Sequence, residues 1–319
     1  MKTLTNELSN SLWSFATIGV LLESGLAAAL CEPRSVEELS ASCPLPRSRI
    51  EGCLGVAAAY GIVTVDPASK RYRLAEGVTP FSQAPMYASL QGNVRSQLMQ
   101  ALAFLDGARS SDFGWAHTDR ALLQAQGDAS SVFPPIFKGL VASLGDLAER
   151  LERPGARMLD VGVGVASLAI GMCRVFPQLQ IVGLDVFDVP LGIAHQNVAG
   201  EKLGNRIELR KLAVDELTDE RAYDVAWLPS VFIPEAVLER ATAKVHASLR
   251  NGGWIFFAAG TRSGDEREQA IRGLITNLWG GPALSVGDST ALLEKVGFTS
   301  VHAMPGPPSA PALIVGQRA

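Results

Sequence analysis

Apolar residues recur at roughly helical spacing through the first thirty positions. Leu8, Leu12, Phe15, Val20, Leu21 and Leu22 predict a helix over residues 4–30, with Gly25 permitting a break. Few charges occupy its remaining face, which predicts burial, here against a second subunit. Ser35, with Glu38 three residues on, has the spacing of a capping box, and Pro44 and Pro46 make a short turn. A second helix is expected over 47–60, with Ile50, Leu54 and Ala57 on one face. IVTVDPASKRYRL then alternates apolar and polar positions around residues 66–70, which suits a β-hairpin. Helix, turn, helix and hairpin predict a mainly α winged-helix domain over residues 1–82.

Residues 83–150 read as helical segments broken by Gly107, Gly114, Gly127 and the pair Pro134 and Pro135. They carry Phe104, Phe113, Trp115, Phe133 and Phe137, so a helical connector that supplies pocket walls is expected. Over 151–319 the texture changes. RMLDVG, QIVGLDV, RIELRKLAV, DVAWL and GWIFFAAG read as strands, separated by helical stretches such as LAIGMCRVF and PEAVLERATAKVHASL. That alternation predicts an α/β domain, a parallel sheet wrapped by helices. FTSVHAM and ALIVGQ are expected to close it as an antiparallel pair, with residues 305–308 in their turn.

Length and composition sharpen this picture. The 319 residues suit two domains, and a 47% hydrophobic content suffices for a sizeable core. A net charge of −4 gives no basic footprint for nucleic acid. Cys31, Cys43, Cys53 and Cys173 are scattered without a C-x-x-C pair, so no metal site is expected and the thiols read as reduced residues of a cytoplasmic protein. Glu7 and Glu23 interrupt the first apolar stretch, against a signal peptide, and no stretch is long enough to span a membrane.

The candidate chemistry sits at LDVGVGVA. Gly162 and Gly164 end the first strand of the sheet, where the backbone approaches a ligand closely. A dinucleotide site needs G-x-G-x-x-G to receive a pyrophosphate, but the third position here is Ala166. Asp160 stands two residues before the first glycine. S-adenosylmethionine (SAM) is a cation with a free amino group and no phosphate, so an acid at this mouth favours it. The next strand ends in Asp185, placed to accept both hydroxyls of a ribose.

DVGVGVASLA, RVFPQLQIVGLDVFDVP, YDVAWLP and ASLRNGGWIFFA resemble the class I SAM-dependent methyltransferases. With the preceding LLESGLAAAL and RYRL, nearly the whole chain is similar to the plant-type and bacterial small-molecule O-methyltransferases. The resemblance implies a Rossmann-like domain with a mostly parallel seven-stranded sheet, and a homodimer through the N-terminal domain. It implies that Asp160, Gly162 and Gly164 line the methionine part of SAM, that Asp185 binds the ribose and that Val186 packs on the adenine. Ala213 stands where many relatives have an acid facing the adenine amino group, which leaves that contact to backbone near Val214 or to Asp215. Leu228 and Pro229 fall near the SAM amino group.

The resemblance breaks at the catalytic step. Plant-type relatives carry a histidine shortly after the fourth strand of the sheet, but LPSVFIPE has none. His195, His246 and His302 read as structural or surface residues. His117, among aromatics in FGWAHTD, and Glu235 are the candidate bases, with Asp112 as a further one. Trp115, Phe133, Phe137, Phe232 and Trp279 are expected to wall the acceptor pocket, and Trp13 and Phe15 to reach a partner subunit's pocket. The expected activity is methyl transfer to a small aromatic or carboxylic acceptor, chiefly O-methylation. The alternatives are N-, C- or S-methylation by positioning alone, a methyltransferase-like fold with other chemistry, and a SAM-responsive DNA-binding regulator. The last is disfavoured because the segment after Arg47 and Arg49 is nearly uncharged.

Overall fold

The computed structural model describes residues 2–78, 83–107, 114–261, 264–306 and 311–319. The chain forms two compact units: residues 1–109 with 124–132, and residues 110–123 with 133–319. The expected connector over 83–150 is thus divided between the two units.

In the first unit, α1 (Lys2–Glu23) stops at Gly25, whose φ of 79° places it in the left-handed region, and α2 (Leu26–Ala29) follows. Helix α3 (Val36–Ser42) starts on the expected capping box of Ser35 and Glu38, and α4 (Arg47–Ala59) starts after Pro46. Strands β1 (Val63–Val65) and β2 (Tyr72–Leu74) pair antiparallel. Leu22, Leu26, Leu39, Ile50, Leu54 and Val63 form the core of this unit. The Arg47 guanidinium is held by Glu37 at 2.7 Å and Glu51 at 2.9 Å, so the head of α4 is neutralised. Helix α5 (Met86–Asp106) packs on α6 (Arg120–Ala129) at Gly92, where a Cβ would stand 2.5 Å from the Ala125 carbonyl oxygen.

Within the single chain, the first helix leaves one apolar face open. Leu4, Leu8 and Leu12 share one face and are 58%, 62% and 54% exposed, and Trp13 is 69% exposed. Only the C-terminal end of α1 reaches the core, through Leu21 and Leu22.

The second unit begins with α7 (Phe133–Val141) and α8 (Leu147–Glu152). Strands β3 (Arg157–Val161), β4 (Gln180–Asp185), β5 (Ile207–Lys211), β6 (Tyr223–Pro229) and β7 (Leu249–Thr261) are parallel neighbours. Helices α9 (Ser167–Val175), α10 (Asp188–Gly200) and α11 (Glu235–Ser248) lie between them in the chain. After α12 (Glu266–Trp279) and α13 (Val286–Val296), β8 (Thr299–Ala303) and β9 (Pro311–Gln317) close the sheet antiparallel. The order is β5-β4-β3-β6-β7-β9-β8, a mostly parallel seven-stranded sheet.

Alternating side chains divide between the two faces, as the two-residue period of a strand requires. Met158, Ile181, Val225 and Phe256 pack with α7, α8 and α9, while Leu159, Val182, Ala226 and Phe257 pack with α11 and α13. Both faces are covered, which is why these strands read as continuous apolar runs. Among the described residues no helix is long and apolar enough to cross a membrane.

Candidate active site

Strand β3 pairs with β4 on one side and β6 on the other, so successive connections leave it in opposite directions. A crevice opens at such a point, beyond the carboxyl ends of the strands. Asp160 lies in register with Gly183 of β4 and Trp227 of β6. The chain then turns through Gly162 at φ 69°, Gly164 at φ 57° and Ala166 at φ 67°. Ala166 therefore takes a glycine conformation without being glycine, which costs about 1 kcal/mol.

Three contacts hold this turn. The Val163 N–H donates to the Leu184 carbonyl at 2.8 Å. The Gly164 N–H donates to Asp185 Oδ2 at 2.9 Å, and the Phe187 N–H donates to Asp185 Oδ1 at 3.0 Å. The Asn197 amide of α10 donates to the Val165 carbonyl at 2.9 Å. Gly183 admits Val163, since a Cβ there would stand 2.6 Å from Val163 Cγ2. Asn197 and Gly183 carry little signal in the sequence. Their one signal is a glycine within the apolar run QIVGLD.

Asp160 is fully buried and its Oδ2 has no hydrogen-bond partner. Burial, and then the neighbouring charge of Asp185, push its carboxyl up to about 7. Burial also raises Asp185, opposed by the N–H groups of Phe187, Gly164 and Val186. An unpaired buried acceptor is costly and calls for a donor. Two such carboxylates beside one turn suit a ligand that brings an ammonium and ribose hydroxyls, and they repel a pyrophosphate. The residues fit the group that the resemblance implies.

Other predicted cofactor positions border the same crevice. Val186 follows β4 and is 48% exposed. Ala213 and Val214 begin a short 3-10 turn after β5, with Val214 buried. Asp215 is taken by Arg240 at 2.6 Å, a hydrogen bond that holds its carboxyl below the usual range. Leu228 is buried, and Pro229 Cγ would lie 3.7 Å from a Cβ at Gly162. The end of β6 therefore borders the glycine turn.

An aromatic wall stands beyond β6. Phe232 ends the turn 230–232 and stacks on Trp279, with centroids 4.7 Å apart and planes at 19°. Trp115 meets Phe232 edge-on at 5.3 Å and Trp279 at 5.9 Å. Trp115 also packs on the cluster of Leu123, Val165 and Ile193, and Val165 belongs to the glycine turn. Gly280 and Gly281 permit this closeness: a Cβ at Gly280 would stand 2.8 Å from Gly114 Cα, and one at Gly281 would collide with the Ser230 carbonyl.

Residues 159–255 match the family model described as methyltransferase domain. This stretch of the second unit is therefore similar to a methyltransferase domain. Over 95 residues it is 33% identical to the ubiquinone biosynthesis O-methyltransferase of Hahella chejuensis (strain KCTC 2396), a match covering 30% of this chain and 38% of that relative. The chain thus spans little more than a third of that relative's length. An O-methyltransferase family protein from Burkholderia thailandensis superposes with TM-score 0.67 at 17% identity, covering 100% of this chain and 98% of that one. Human N-acetylserotonin methyltransferase, solved in complex with SAM, superposes with TM-score 0.62 at 16% identity, covering 99% and 97%. These structures share the fold.

The remaining predicted residues fall in distinct places. Phe137 is a correction: it is 0% exposed, packed against Phe176 and Phe256 within the core, with no face left for an acceptor. Its position on the sheet-facing side of α7 put it there, which aromatic composition alone does not reveal. Phe133 is half-buried against Trp227 of β6, at 4.6 Å. Glu235 is exposed in the first turn of α11. Asp112 and Phe113 lie outside the described residues. His195 is exposed on α10, His246 packs edge-on against Phe298, and exposed His302 bonds through Nδ1 to the Ser300 carbonyl. His117 alone of the four histidines meets the aromatic wall, edge-on against Trp115 at 4.7 Å.

Proposed function

We propose that this chain is a SAM-dependent methyltransferase that transfers a methyl group to a small molecule, chiefly by O-methylation of a flat aromatic or carboxylic acceptor. The observation that carries this reading is the pair of carboxylates, Asp160 and Asp185, beside the glycine turn, with one buried oxygen left unpartnered. Asp160 with Gly162 and Gly164 holds the methionine part, Asp185 the ribose, and Val186 with the residues at Ala213 and Val214 the adenine. Leu228 and Pro229 close the amino end. Bound there, SAM supplies an electrophilic methyl on a sulfonium. The protein's part is to hold a nucleophile in line with that methyl and keep water away. Trp115, Phe232 and Trp279 offer aromatic faces suited to a planar acceptor.

The reading includes a cytoplasmic homodimer. The first unit, with its helix, turn, helix and hairpin, serves as a winged-helix dimerisation module. The exposed row Leu4, Leu8 and Leu12 beside Trp13 supports a second copy covering α1. The pairing of Arg47 with Glu37 and Glu51 argues against a DNA-reading α4.

A transfer assay with methyl-labelled SAM over phenols, carboxylic acids, amines and thioethers tests the activity, with calorimetry for SAM itself. Label transferred to a phenol or carboxylic acid supports the reading. Wild-type protein that fails to bind SAM ends it.

A further inference from the structure

We infer that His117 is the general base for a hydroxyl acceptor, supplied by the segment before α6 rather than by the loop after β6. This rests on the methyl-transfer reading above. The loop after β6 contains no histidine, yet its Phe232 is in ring contact with Trp115, and Trp115 with His117. Two edge contacts, at 5.3 and 4.7 Å, therefore link the end of β6 to an imidazole. The same Trp115 packs against the cluster of Leu123, Ile193 and Val165, the last a residue of the glycine turn. The imidazole thus stands on the rim of a wall whose other members adjoin both edges of the cofactor crevice.

The ring is chemically suited to the task. It is half-buried, and burial pulls its pKa below the ordinary imidazole value, so it is neutral at neutral pH and free to accept a proton. Asp119 acts in the opposite sense, favouring the imidazolium once formed. That carboxylate is fixed in place: its Oδ1 accepts the N–H groups of Ala121 and Leu122 at 2.8 and 3.0 Å. The adjacent Arg120 is turned to Gln196 of α10 at 2.6 Å. In the step, the acceptor O–H bond breaks and its proton goes to the neutral imidazole nitrogen. The freed oxygen pair forms the bond to the methyl carbon while the carbon–sulfur bond opens toward sulfur. The imidazolium then returns its proton to solvent.

The test compares wild type with His117→Gln on two acceptors, a weakly acidic phenol and a nitrophenol that arrives ionised. On the weak phenol the variant is expected to lose about a hundredfold or more in rate, along with the lower limb of the pH profile. On the nitrophenol it should stay within about threefold of wild type, because no proton remains to be taken. A readout without cofactor accompanies this. In the cofactor-free wild-type protein, the His117 imidazole resonances should shift when the weakly acidic phenol binds. Losses on the variant that are equal for both acceptors, a variant as fast as wild type on the weak phenol, or imidazole resonances unmoved by the bound phenol would overturn the assignment. A wild type that binds no SAM would instead remove the reading beneath it.

Discussion

The Asp185 carboxylate accepts a hydrogen bond from the Gly164 N–H at 2.9 Å, so the acid that ends β4 also holds the turn that follows β3. In the proposed complex Asp185 serves both the turn and the ribose. Asp185→Ala is expected to weaken SAM binding by about a hundredfold or more, the scale of losing charge-assisted hydrogen bonds at a buried site. Calorimetry measures it, and an unchanged affinity would withdraw Asp185 from the site.

Asp160 predicts a pH dependence. Its carboxyl is raised from 3.8 to about 7, so the folded protein keeps a proton that the unfolded chain has released. Stability of the cofactor-free protein should therefore fall as pH climbs between those two values. Burial of Asp185 raises its carboxyl too and adds to the same slope. Asp160→Asn should flatten the slope in urea titrations at several pH values. Affinity for SAM should move the other way in wild type, rising with pH toward about 7, because the ammonium prefers the ionised carboxylate.

Gly183 has no side chain because Val163 fills its place. Gly183→Ala would set a methyl 2.6 Å from Val163 Cγ2, and valine has little rotamer freedom to yield. A loss of about 1–3 kcal/mol in denaturant unfolding is expected, with weaker SAM binding as Val163 shifts the turn. Wild-type values for both would show that β4 does not shape the turn.

Phe232 and Trp279 form a stacked pair, and their removal separates acceptor from cofactor. Trp279→Ala should raise the acceptor KM by about tenfold or more, the scale of one lost aromatic contact, with SAM affinity unchanged. A change in SAM affinity with no change in KM would place the wall elsewhere than at the acceptor.

On α1, Leu8 and Leu12 lie one turn apart and both are more than half exposed. The double variant Leu8→Glu, Leu12→Glu should convert a dimer into a monomer by light scattering at micromolar concentration. It should leave the fold intact, since neither residue contributes to the core of its own chain. A wild type already monomeric would refute the dimer.

Much of the fold was legible in the sequence because it rests on local patterns. The apolar runs RMLDV and QIVGLD signalled strands buried on both faces, and both are parallel neighbours in the sheet. The capping box at Ser35 formed as its spacing required. The acids at Asp160 and Asp185 were found from their distances to Gly162 and to the second strand, which chain order alone preserves.

Tertiary structure decided what depends on residues far apart in the chain. Sequence placed Phe137 with the pocket aromatics, but helix α7 lays it on the sheet, and hydrophobicity cannot tell a core ring from a wall ring. The partners of the glycine turn, Gly183 and Asn197, became visible only once β4 and α10 lay against it. Residues 115, 232 and 279 meet because the chain returns twice to the carboxyl end of one sheet. A glycine turn between two acids on a parallel sheet is written in short spacings along the chain. Only folding could bring the His117 ring against Trp115 and Trp115 against Phe232, because close packing between distant segments has no signature along the chain.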